Sequence, residues 1–279
     1  MILGGPSVLR NSHTNKKSAL EKRKEENLGV AHDAVSAAMA NILVSDAEGN
    51  DFSSTVTNRG LFTGVRSQGR IREPLALRLF GVDPDKNFKA LRRFINNKKI
   101  LLVGGGASMQ DLTSSEELTP ALLVNVDPFT PDVKRKSASY YRHLPLDATS
   151  EHFLNDLRAA GYGKFDEIWA SYSIPPHCKD AEQITRLFGN LYDALESNGN
   201  IRDYPLAFFV QRLEGLDYQE PQKRVETLAP LQAGLSAALT MLANKDNIAL
   251  SVRHSSPQDF LIKNPATLLI HKLDTMARR

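Results

Sequence analysis

The sequence predicts an α/β fold in which a mostly parallel sheet is covered by helices on both faces. Three observations carry that expectation. Short mostly apolar runs recur at 99–103, 121–126, 165–172 and 201–209, the pattern of strands buried on both faces. Segments with apolar residues at helical spacing separate them, at 150–160, 180–196 and 221–243. The first of these strands also runs straight into Gly104-Gly105-Gly106, a turn suited to lead from a strand into a helix.

The chain has 279 residues, enough for one large domain or a medium domain with an appendage. With 41% hydrophobic and 24% charged residues it has the composition of a globular protein that buries a core. Its single cysteine, Cys178, excludes an intrachain disulfide framework and a cysteine-based metal site. That usage fits a reducing compartment, so a cytoplasmic protein is expected. The N-terminus lacks a long apolar h-region. No apolar run approaches the ~18 residues of a membrane span, so no membrane partner is expected. The net charge of +3 divides unevenly. Residues 1–100 hold 17 Lys and Arg against 10 Asp and Glu, and the remainder 18 against 22. A basic front and an acidic back suggest two segments with different roles, although a solvated basic helix is the plainer reading.

The elements follow in order. Residues 1–17 are polar and read as a tail. Leu20, Leu28, Ala31, Val35, Ala38, Met39 and Ile42 recur near helical spacing, so 18–44 reads as one or two helices. Residues 46–72, rich in Gly, Ser, Thr, Asn and Arg, read as a long loop. Pro74 opens a short helix through Phe80, and 85–96 forms another. The first strand, 99–103, ends in the glycine turn. Strands at 121–126, 140–146, 165–172 and 201–209 follow, with helices at 150–160, 180–196 and 221–243, the last interrupted near Pro230. Asn198-Gly199 reads as a turn. Two final strands, 247–254 and 266–273, have no helix between them and can pair antiparallel. The chain thus divides into an N-terminal helical and loop extension, residues 1–95, and an α/β domain, residues 96–279.

A strand that ends in a glycine turn before a helix gathers free backbone N–H groups and a positive dipole end at one point. Gly104, Gly105 and Gly106 would let a ligand approach that backbone closely. Asp127 lies 23 residues beyond Gly104, at the end of the second strand. That is near the ~20-residue spacing at which an acid bonds a ribose in dinucleotide folds. A carboxylate there accepts from two adjacent hydroxyls. The plain alternative is a turn-opening Asp before Pro128.

These residues resemble the motifs of class I S-adenosylmethionine-dependent methyltransferases, a Rossmann-like family. Ile100-Leu-Leu-Val-Gly-Gly-Gly-Ala-Ser108 is similar to its first motif, and Leu123-Val-Asn-Val-Asp127 to its second. Leu144-Pro-Leu-Asp-Ala148 resembles the third, Phe165 to Ser173 the fourth, and Leu195 to Arg202 the fifth. The terminal strand pair matches the family's antiparallel seventh strand. The resemblance spans residues 96–275. It implies a seven-stranded, mostly parallel sheet with an antiparallel terminal strand, preceded by a helical lid or platform. It also implies S-adenosylmethionine as cofactor, bound through Gly104, Gly105, Gly106, Ser108, Asp127, Asp147, Ala148 and Ser171. Two positions depart from the family: Leu102 stands where an acidic residue is usual, and Ser108 where the last glycine is.

Methyl transfer needs little beyond positioning, because the sulfonium already activates its methyl group. Tyr172 and His177, just past the fourth strand, stand where a base or orienting group would sit, and histidine titrates near neutrality. Arg66, Arg70 and Arg72 are candidates to bind the cofactor carboxylate or an acidic substrate, with exposed loop arginines as the plain alternative. A small-molecule acceptor is expected ahead of a protein side chain. No aromatic-interleaved basic stripe points to nucleic acid. A catalytically silent relative and a nicotinamide-dependent oxidoreductase are the competing classes.

Overall fold

The apolar runs pair into one seven-stranded sheet in the computed structural model. The model describes residues 18–45, 66–67, 70–71, 75–104, 117–128, 139–171, 178, 180–211, 221–255 and 264–274. Its strands are β4 (Lys99–Val103), β5 (Leu122–Val126), β6 (Tyr141–Leu144), β7 (Phe165–Ser171), β8 (Leu195–Tyr204), β10 (Ile248–His254) and β11 (Ala266–Lys272). They lie in the order β6-β5-β4-β7-β8-β11-β10. Every neighbouring pair from β6 to β8 is parallel, and β11 runs antiparallel to both β8 and β10. Counted from β4, this is third-second-first-fourth-fifth-seventh-sixth. It is the doubly wound order with the last strand inserted, reversed, beside the fifth. The fold is Rossmann-like α/β, as the sequence predicts.

Among the described residues six helices flank the strands: α1 (Ala19–Ala40), α2 (Leu75–Phe80), α3 (Pro84–Ile95), α4 (Phe153–Ala159), α5 (Ala181–Asp193) and α6 (Pro221–Ala243). Alternation along the strands sorts side chains between two layers. Leu101, Val103, Val124, Val126, Ile168, Ala170 and Ile201 bury against α1, α4, α5 and α6. Ile100, Leu102, Leu123, Trp169 and Tyr204 bury against α2 and α3. On the first face, Asn27 of α1 reaches the edge strand. Its Nδ2 donates to Ile248 O at 3.0 Å and its Oδ1 accepts from Leu250 N at 2.9 Å. The helices α5 and α6 meet where Gly234 lies against Ala181, and a Cβ there would sit 2.5 Å from Ala181 Cα.

The second face is polar at its centre. Glu167 and Arg202 form a buried ion pair, Nε to Oε2 at 2.9 Å. Asn200 Nδ2 and Trp169 Nε1 also donate to the Glu167 carboxylate. The Arg202 guanidinium lies over the rings of Phe80 and Phe94, 5.1 and 4.9 Å from their centroids, and donates to Leu79 O. Thr267 Oγ1 and Arg253 Nη2 donate to Arg78 O. These donors satisfy the last carbonyls of α2, which a helix of this length leaves open. Breaking one side of such a pair costs about 3–5 kcal/mol.

The structure differs from the sequence reading in four places. Residues 42–45 are not helical: Ile42–Ser45 form β1, paired in parallel with β9 (Phe208–Gln211). The run at 201–209 is two strands, because Pro205 has no N–H to continue the ladder after Tyr204. Asn198-Gly199 is no turn between elements but an irregularity inside β8, where the register against β7 shifts and Asn198 takes φ +63°. The long helix also runs through Pro230 unbroken, because Leu228, Leu231 and Leu235 bury on one side while the proline is exposed.

Candidate functional site

The carboxyl ends of β4, β5 and β6 are laced side by side. Gly104 takes φ +60°, a conformation that favours glycine, and its N–H donates to Val126 O at 2.8 Å. Asp127 follows directly, with its N–H bonded to Leu144 O at 3.2 Å, and is 9% exposed. Tyr141 of β6 accepts from Asn125 Nδ2 at 3.2 Å. Burial holds its hydroxyl above the ordinary tyrosine range, the nearby Asp127 adding to the effect.

Asp147 lies three residues past β6 and caps its own turn. Its Oδ1 accepts from the backbone N and the hydroxyl of Thr149, each at 2.8 Å. Helix α5 fixes this turn from below. Asn190 Nδ2 donates to Ala148 O and Ser150 O, both at 2.9 Å, and Arg186 Nη1 to Thr149 O at 3.3 Å. Ala148 is buried, whereas Asp147 is exposed. Ser171 ends β7 opposite Tyr204 of β8, so it belongs to the strand on the other side of β4. Gly104, Asp127, Asp147, Ala148 and Ser171 therefore follow or end four contiguous strands at one edge of the sheet, the edge where ligands bind in such folds.

Gly105, Gly106, Ser108, Tyr172, His177 and Arg72 lie outside the described residues. Arg66 and Arg70 stand in a two-residue ladder, β2 (Arg66–Ser67) against β3 (Arg70–Ile71), with Arg66 opposite Ile71. Leu102 is 2% exposed and packs in the α2–α3 layer. Among the described residues no group of three His, Cys, Asp or Glu side chains could hold a metal, and no helix is long and apolar enough to cross a membrane.

Sequence reasoning missed Asp203 and Asn41. Asp203, next to last in β8, is fully buried, and neither carboxyl oxygen has a hydrogen-bond partner. Burial pushes its carboxyl well above the usual carboxylate range. The thiol of Cys178 is pushed up to about 12, first by burial and then by Asp203, Asp147 and Asp180. Asn41, the C-cap of α1, is 4% exposed and has an unpartnered Oδ1. The available signal was the adjacent pair Arg202-Asp203 within the otherwise mostly apolar run 201–209. Alternation puts those two charges on opposite faces, so at least two buried polar groups had to be explained.

No family model matches the chain, and no curated protein matches its sequence. Among solved structures, the N-methyltransferase NodS of Bradyrhizobium japonicum WM9 is 11% identical, with a TM-score of 0.42 over 68% of this chain and 96% of its own. The MycE methyltransferase of the mycinamycin pathway, solved with Mg and SAH, is 15% identical at a TM-score of 0.41, over 68% and 49%. A "possible exported protein" of Bordetella parapertussis is 12% identical at 0.42, over 92% and 98%. These likenesses are loose, and the functional argument rests instead on the strand order and the strand-end residues.

Proposed function

We propose that this chain is an S-adenosylmethionine-dependent methyltransferase acting on a small molecule. The observation that carries the reading is the sheet order, with a reversed last strand, which brings Gly104, Asp127 and Asp147 to three adjacent strand ends. The residues fit the cofactor. The turn at Gly104 keeps the chain tight against β5, the short Asp127 carboxylate stands where ribose hydroxyls would be read, and Asp147 with Ala148 stands where adenine would be. Ser171 faces the methionine half in this reading, with Gly105, Gly106 and Ser108 continuing the glycine turn. When bound, the cofactor supplies an already activated methyl group. The chain's own residues bind, orient and exclude water; Tyr172 and His177 are read as the groups that orient the acceptor or take its proton.

Residues 1–95 are read as a platform beside this site, with Arg66, Arg70 and Arg72 contributing to acceptor binding. Support comes from β1, which pairs with β9 just beyond the carboxyl end of β8. Leu102, apolar and buried where the family has an acid, favours the second reading, a silent relative that binds the cofactor or a partner without turnover.

The test is calorimetric titration of the full chain with S-adenosylmethionine and, separately, with NAD. Binding of the first alone is expected. Asp127→Ala should weaken it by about 1.5–3 kcal/mol, the range for hydrogen bonds to a charged group. Binding of NAD alone, or affinity unchanged by the substitution, contradicts the reading.

A further inference from the structure

We propose that Asp203 and Asn41 form the floor of a subsite for an amino group on the methyl acceptor, an inference that rests on the methyltransferase reading above. The geometry begins with direction. Along β8, Ile201 packs in the α1–α5–α6 layer while Arg202 and Tyr204 face α2 and α3. Asp203 therefore points to the first layer, where its electrostatic neighbour Cys178 is also buried. Asn41 reaches the same layer from the end of α1. Its Nδ2 donates to Ala37 O, Leu206 O and Asn264 O at 2.9, 3.3 and 2.9 Å. Three carbonyls around one nitrogen fix the amide orientation, so Oδ1 can only accept. Leu206 follows Asp203 by three residues and packs in that layer too. The protonated carboxyl of Asp203 and the amide oxygen of Asn41 thus lie buried and unpartnered near the carboxyl end of β8.

Buried polar groups left without partners are costly. Native structures hold few of them, and an unsatisfied group inside a fold is a mark of function. The chemistry that answers them must donate. A carboxylate or phosphate could take the one Asp203 proton but would bring oxygen against the remaining oxygens, and a hydroxyl has one proton for the two that accept. A primary amine that enters as the free base takes the Asp203 proton, leaving a carboxylate and an ammonium whose three N–H bonds and charge suit these oxygens. The position fits an acceptor rather than the cofactor. The strand β8 adjoins β7, whose last residue Ser171 lies opposite Tyr204, and β7 separates it from β4 and Gly104.

The test uses the full chain labelled with carboxyl-¹³C aspartate. The Asp203 resonance is identified by its loss in Asp203→Asn. Propylamine should move that resonance saturably from the neutral-acid to the carboxylate position, whereas propanol and propionate should leave it in place. Asp203→Asn, a near-isostere, should bind propylamine at least tenfold more weakly and S-adenosylmethionine as tightly as the parent. No shift with propylamine, the same shift with propionate, or equal propylamine affinity in the variant overturns the proposal. If S-adenosylmethionine does not bind but propylamine still shifts Asp203, the cofactor reading falls and the amine subsite stands.

Discussion

A carboxyl buried without a partner is harder to ionise in the folded chain than in the unfolded one, and Asp203 gives this protein a pH-dependent stability. Its folded pKa is raised above the ordinary value of ~3.9. Its stabilising contribution is therefore full below about pH 3.9 and is lost as pH rises toward the folded value, because the folded state holds the proton longer. Asp203→Asn removes that slope. Chemical denaturation should find the variant more stable than the parent at pH 7 by about 1 kcal/mol or more, with the gap closing toward pH 4. A gap that does not change with pH would show that Asp203 is not buried as a neutral acid. Residues at this scale were unevenly legible. The positions of Gly104 and Asp127 at adjacent strand ends are legible because each directly follows an apolar run. Asp203 and Asn41 are not, because what marks them is the absence of partners in three dimensions.

Elements whose signal is local came through within a few residues. The strand β4 falls at Lys99–Val103 and α6 at Pro221–Ala243 as the sequence predicts, without the break expected near Pro230. The strand β1 did not, because Ile42-Leu43-Val44 continues the apolar rhythm of α1 while its partner β9 lies more than 160 residues away. The irregularity at Asn198 was hidden for the opposite reason: an Asn-Gly pair carries the same local signal in a hairpin and in a bulge. The helices α2 and α3 present the sharpest test at this scale, since they cover Leu102, Leu123, Trp169 and Tyr204 and hold Arg202 against the stacked rings of Phe80 and Phe94. A fragment beginning at Asn96 leaves those side chains and the Glu167–Arg202 pair exposed. Size-exclusion chromatography should find it self-associated, and the emission of Trp169, the chain's one tryptophan, should move to the red. A monomer with the parent's emission and cooperative unfolding would show that residues 75–95 are not part of the core.

For the molecule as a whole, fold class was legible because alternation of strands and helices leaves few ways to cover a parallel sheet. The strand order adds what periodicity alone does not, the reversed β11 wedged between β8 and β10. That arrangement lines the ends of β6, β5, β4 and β7 with Asp147, Asp127, Gly104 and Ser171, and puts the orphan acid of β8 beside them. Ribose and adenine at β5 and β6, the methyl donor toward β7 and the acceptor at β8 is the division this reading requires. The most direct measurement is a crystal structure of the full chain grown with S-adenosylhomocysteine. The account predicts the ribose against Asp127, the adenine beside Asp147 and Ala148, and the thioether directed toward the end of β7. Density for the ligand elsewhere on the molecule, or crystals that exclude it at saturating concentration, would contradict it.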